Sequence, residues 1–102
     1  MILGRIIGNV VSTSKDVNLE GLKLLVVQHV KMDMTDLNAY TVAADGIGAG
    51  EGELVLVVTG SSARLGTNVK NKPLDASILA IVDQVEIEGV VVFNKETSEI
   101  GR

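Results

Sequence analysis

Four glycines at alternate positions, Gly46, Gly48, Gly50 and Gly52, stand in the stretch DGIGAGEGELVLVV, just ahead of a solid apolar run. Glycines crowded against a hydrophobic segment are the usual mark of a loop that cradles phosphate. A dinucleotide fingerprint requires G-x-G-x-x-G between a strand and a helix, because the helix N-terminus receives the pyrophosphate. Counted from Gly46 the third position is Glu51, and counted from Gly48 it is Glu53. Either register turns a carboxylate toward the phosphate, and the residues that follow read as strand, not helix. The Gly-Lys-Ser/Thr of a P-loop is absent. Two roles remain for the glycines: a tight turn between strands, or a place where the backbone approaches other copies of itself so closely that side chains are excluded.

Other chemistry-bearing residues are few. His29 is the single histidine and there is no cysteine, so no second His or Cys completes a usual transition-metal site. Ser61 and Ser62 lack a histidine whose orienting partner the sequence identifies, which argues against Ser-led nucleophilic catalysis. Glu51 with Glu53, and Glu86 with Glu88, have a spacing compatible with acid–base work but read as solvated charges at strand edges. In GSSAR, Gly60 to Arg64, a serine fits the cap of a helical turn with Arg64 solvated on it. The same Arg64 also suits a neighbour's carboxylate or carbonyls across a subunit boundary, because its planar fork of donors gives directional contacts. Nothing here supplies a catalytic residue, a metal set or a cofactor site, and an enzyme is not expected.

The elements that hold these residues read as short strands. ILGRIIGNVV (2–11) is a first strand with Gly4 and Gly8 on one face with Ile2, Ile6 and Val10, and glycine inside a strand marks a bend or a close backbone approach. STSKDVNLEG (12–21) is loop-like. LKLLVVQHV (22–30) places Leu22, Leu24, Val26 and Val30 on one apolar face, with Leu25 and Val27 opposite among Lys23, His29 and Lys31. A hairpin tip at 31–38 leads to a returning strand at 39–45. ELVLVV (53–58) is apolar on both faces, so cover is expected on both. Turn residues and a possible helical turn occupy 59–73, and LDASILAIVDQVEIEG (74–89) begins like a short helix capped by Asp75 before passing into alternation. VVVF (90–93) adds a last strand before a polar tail. The expected fold is mainly all-β: a small OB-like five-stranded barrel with one or two short helical turns and a C-terminal extension. The barrel domain is placed at 1–88, with a C-terminal strand and tail at 89–102 packed on the same domain.

Composition agrees with this picture. Valine and isoleucine supply 24 of 102 residues and aromatics only Tyr40 and Phe93, a balance that favours pleated surfaces. Hydrophobic residues reach 46% before the eleven glycines are added, more than a domain this small hides alone, so some must face another subunit. A net charge of −4 without basic clusters disfavours nucleic acid. An OB barrel used as a binding module for single strands or a small ligand is the alternative function, but it relies on basic grooves and stacking aromatics. MILGRIIGNV is a poor secretory signal, and no apolar run of about 18 residues is present to span a bilayer, so no membrane association is expected. Together with the lack of cysteine this reads as a soluble, intracellular protein.

Taken together, DGIGAGEGELVLVVTGSSARL (45–65) resembles the signature of the EutN/CcmL family, the pentameric vertex proteins of bacterial microcompartment shells. The matching parts are Gly48-Ala49-Gly50, then Gly52-Glu53 opening a strand, then Gly60-Ser61-Ser62-Ala63-Arg64 closing it. LGRIIGNVVSTSKDVNLEGLKLLVVQ (3–28) and PLDASILAIVDQVEI (73–87) extend the similarity over most of residues 1 to 88. The resemblance implies a non-catalytic homopentamer in the shell of a microcompartment in the bacterial cytoplasm, capping corners of a lattice of hexameric shell proteins. Gly48, Ala49 and Gly50 are then candidates for the five-fold axis. Gly60, Ser61, Ser62, Ala63, Arg64, Leu25 and Val27 are candidates for the subunit interface.

Overall fold

Among the described residues the β-branched runs become seven strands: β1 (Ile2–Val10), β2 (Lys23–Val30), β3 (Asp36–Asp45), β4 (Leu54–Thr59), β5 (Ala76–Ile81), β6 (Gln84–Ile87) and β7 (Val90–Asn94). The structure, a computed structural model, describes residues 1–13, 22–60 and 75–97. The first five strands close a barrel in the order β1-β2-β3-β5-β4, with β4 returning to β1. All ladders are antiparallel except the β3–β5 closure, which is parallel and rests on one residue pair, Ala44 with Ser77. This is the five-stranded OB-like arrangement. Strands β6 and β7 form a separate hairpin whose two turn residues, Glu88 (φ 51°) and Gly89 (φ 82°), take the left-handed conformation that matches strand twist. Position 88 therefore lies in a turn, while the last barrel strand ends at Ile81.

Two apolar clusters hold these parts. Inside the barrel lie Ile6, Leu25, Val27, Ala43, Ala49, Val55, Val57, Ala76 and Ile78. On the outer side of the β1–β4 wall, Leu3 and Leu54 pack with Val30 and with Phe93 of β7, flanked by Met34, Leu56, Val82 and Val85. Strand β4 is thus covered on both faces, Val55 and Val57 within and Leu54 and Leu56 beneath the hairpin. Burying one side chain such as Phe93 contributes about 1.5–3 kcal/mol, which fastens the hairpin to the barrel.

Two sequence expectations are corrected. Leu25 and Val27, expected on the less buried face, are 3% and 0% exposed and belong to the core, while Leu24 and Val26 take the outer face. Both faces of β2 are apolar, so period-two alternation alone does not choose between them. The neighbouring strands decide. Val27 pairs with Ile6, and next to it Gly4 has no room for a side chain: a Cβ there would collide with Val27 Cγ1 and lie 2.7 Å from the Gln28 carbonyl oxygen. Val30 keeps the outer side with Leu24 and Val26 and is buried there with Leu3, Leu54 and Phe93. A register shift after Ile6 turns Val10 outward too, and a second shift interrupts the ladder to β3 after Gln28. Gln28 itself is buried and ties this irregularity, its Nε2 donating to the carbonyls of Leu37 (2.5 Å), His29 (3.0 Å) and Ala39 (3.2 Å).

The second correction concerns the helix expected from residue 74. Ala76–Ile81 is strand β5, with Ala76 and Ile78 in the core. Pairing along β4 overrides the local capping signal of Asp75, whose carbonyl accepts the Gly60 N–H at 2.8 Å. The helical turn within 59–73, most of the 12–21 loop and the end of the tail lie outside the described residues.

Candidate assembly surface and its glycine loop

The segment from Asp45 to Glu53 leaves β3 and enters β4, and two carboxylates fix its ends. Asp45 is buried, and its Oδ1 accepts the backbone N–H groups of Ile47 (3.1 Å) and Ala49 (3.2 Å). Its Oδ2 lies 3.8 Å from Lys23 Nζ, which also donates to the Ala49 carbonyl at 3.2 Å. An aspartate that gathers its own downstream amides is turn chemistry, and the lysine supplies the countercharge that burial demands.

At the far end Glu53 Oε1 accepts the Gly50 N–H at 2.7 Å, and Oε2 lies 3.0 Å from Lys95 Nζ. Desolvation by burial pushes this carboxyl upward, but the Gly50 hydrogen bond and the Lys95 ammonium outweigh it and hold Glu53 below its usual range. The loop is stitched to β1 as well, through Gly52 N–H to the Ile6 carbonyl (2.8 Å) and Ile6 N–H to the Glu53 carbonyl (2.9 Å). A half-exposed ion pair is worth about 0.2–1 kcal/mol, so Lys95 orients Glu53 and does not anchor the hairpin, which Phe93 does.

Within this frame the glycines differ. Gly48 and Gly52 have φ of +84° and +90°, so a side chain there would strain the backbone. Gly50 has no such φ, and a Cβ built on it meets only Glu53 Oε1, at an ordinary 3.7 Å. Gly48 is exposed, whereas the Ala49 methyl is fully buried in the barrel core and presents nothing outward. Of the three residues expected at a five-fold axis, then, Ala49 is a core residue and its flanking glycines form the surface. The fold assigns Asp45 and Glu53 to bracing the loop.

Beside the loop a face of the barrel is left bare. Leu24 and Val26 on β2 are half-buried, with Val10 beside Leu24 on β1, and Val26 lies between Gly8 and Val42. Tyr40 and Val42 on β3 are 59% and 48% exposed, and Ile47 in the loop is exposed too. Large apolar side chains grouped on a strand face, and not scattered singly, mark an interaction surface. The β6–β7 hairpin covers the equivalent outer face of β1–β4 but not this one.

The other candidates fall into structural roles or out of view. His29 Nε2 lies 2.6 Å from Thr41 Oγ1 across the β2–β3 ladder. Among the described residues no group of three His, Cys, Asp or Glu side chains gathers as a metal site, and no helix is long and apolar enough to cross a membrane. Glu86 and Glu88 are exposed on the hairpin. Phe93 is buried, which removes one of two aromatics from any stacking surface. Gly60 closes β4 with φ +71°, and Ser61, Ser62, Ala63 and Arg64 lie outside the described residues. Sequence reasoning missed Asp45, for which the Asp-Gly start of the loop was the available signal, and Lys95, for which there was none.

A family model described as ethanolamine utilisation protein EutN/carboxysome matches residues 1–83. The chain is 43% identical over 97 residues to a carboxysome shell vertex protein, CcmL, of Thermosynechococcus vestitus, covering 95% of this chain and 98% of that one. Its fold is similar to that of CcmL from Gloeobacter violaceus, with a TM-score of 0.90 at 38% identity over 94% of this chain and 99% of the other. It is also similar to GrpN of Rhodospirillum rubrum, described as a pentameric microcompartment shell protein, with a TM-score of 0.77 at 45% identity over 85% and 99%.

Proposed function

The chain belongs to the EutN/CcmL family, and from that premise we propose that it is a structural, non-catalytic shell protein of a bacterial microcompartment in the cytoplasm. It forms a homopentamer that caps the vertices of a polyhedral shell and closes a lattice of hexameric proteins. The observation that carries this reading is about 40% identity over nearly the full length of shell vertex proteins, on a closed barrel of similar fold. The need is geometric: a flat sheet of hexagons does not close until pentagons enter it. A ring is a heterologous contact, one patch on a different patch of the next copy, closing when the rotation does. The bare face around Val26, Tyr40 and Val42 suits one such patch, and Arg64 suits a directional contact across the boundary. Gly48 and Gly50 suit a position near the five-fold axis, where identical loops crowd together.

Native mass spectrometry tests the reading: the expected species is five copies of the 10.7 kDa chain, and a stable monomer would refute it. Gly50→Val tests the loop's position. The isolated barrel has room for a Cβ at this position, so the variant is expected to fold while its ring dissociates at concentrations where the parent's persists. A variant ring as robust as the parent's removes Gly50 from the axis.

A further inference from the structure

The chain continues past the family match, which ends at residue 83, and the strands that follow reach back to the glycine loop. Phe93 of β7 is buried against Leu54, the residue next to Glu53. The Leu54 carbonyl accepts the Val82 N–H at 2.8 Å, and the Lys95 N–H donates to the Asp83 carbonyl at 2.8 Å, closing the base of the hairpin. From that base the Lys95 ammonium reaches Glu53 Oε2 at 3.0 Å. The same carboxylate turns its other oxygen into the loop, taking the Gly50 N–H at 2.7 Å, while the Glu53 N–H donates back to the Gly50 carbonyl at 3.1 Å. One side chain therefore joins the hairpin to the turn at Gly50.

We infer that the β6–β7 hairpin is a strut that sets the conformation of the Gly50–Glu53 half of the loop, with Lys95 and Glu53 as its positioning pair. The other half is fastened separately, by Asp45 and Lys23 of the barrel. The contacts of this strut all lie within one chain, so it acts on loop shape. That the strut thereby shapes a surface where copies meet rests on the vertex reading above; the intrachain coupling does not.

Hydrogen exchange measured on the intact, full-length protein tests the strut, followed in the peptide spanning 46–53 alongside native mass. Lys95→Met is expected to speed exchange at the Gly50 amide roughly two- to five-fold, the range for a partly exposed ion pair, with the subunit number unchanged. Glu53→Gln, which keeps an acceptor but loses the charge, is expected to shift exchange in the same direction, and Lys95→Arg to restore it. Lys23→Met is expected to leave Gly50 as it was, loosening instead the amide of Ala49. Unchanged Gly50 exchange in Lys95→Met overturns the strut, as does a Lys95→Met protein that falls to monomers, since ring closure would then depend on the pair. A parent protein that is not five-membered, yet shows the Lys95 effect, refutes the vertex reading and leaves the strut standing.

Discussion

Glu53 shows how a charge that looks like surface decoration becomes structural. Its carboxylate faces Lys95 of the hairpin and Asp45 across the loop, and the favourable partners win over burial. Because its folded pKa is depressed, the stability it contributes is present above the unfolded value and is lost as the pH falls through the folded one. On acidification the Gly50 amide resonance is expected to move with a midpoint below the ordinary glutamate value; Lys95→Met should raise that midpoint. A midpoint in the parent at or above the usual glutamate value would contradict the contacts described. Much of this was hidden in the sequence. Glycine at positions 46 to 52 announces a turn or a close approach, but a Glu at 53 has the same letter whether solvated or paired, and its partner lies more than forty residues away. Gly4, by contrast, was legible as a close approach inside a strand, where the backbone of β2 passes too near for a Cβ, whereas Gly8 of the same strand has open space around it.

Among the elements, β2 carries the sharpest contrast between its two sides. Leu25 fills the barrel, so Leu25→Ala is expected to lower unfolding free energy by about 2–5 kcal/mol at any protein concentration. Val42→Ser on the bare face removes no core atom, and its effect is expected to appear as a ring that dissociates on dilution. Chemical denaturation at two concentrations separates them, and equal behaviour of the two variants would contradict the assignment of faces. Strand positions were readable from runs of β-branched residues, as was the two-sided cover of β4. Which side of β2 faces inward was not, since Leu24, Leu25, Val26 and Val27 are equally apolar and a register shift lies at each neighbour. The helix expected at 74 failed because Asp75 looks like a cap until β4 offers Ala76–Ile81 a ladder.

At the scale of the whole molecule, net charge is expected to oppose assembly and the bare apolar face to favour it. Five copies at −4 each give a ring of −20, and at physiological salt such charges are felt over only about 8–10 Å. Sedimentation at low and moderate salt is expected to show the ring strengthening as salt screens this repulsion; a ring that weakens with added salt would place ion pairs, not apolar contact, at the joint. The barrel itself is fastened unevenly. Long ladders bind β2 to β1 and β3, and β4 to β5, but the parallel seam between β3 and β5 has a single rung. Local opening of the wall is therefore expected first at that seam, parting a three-strand meander from a two-strand flap hinged on β1. A fold that looks closed is, energetically, a cuff with one button.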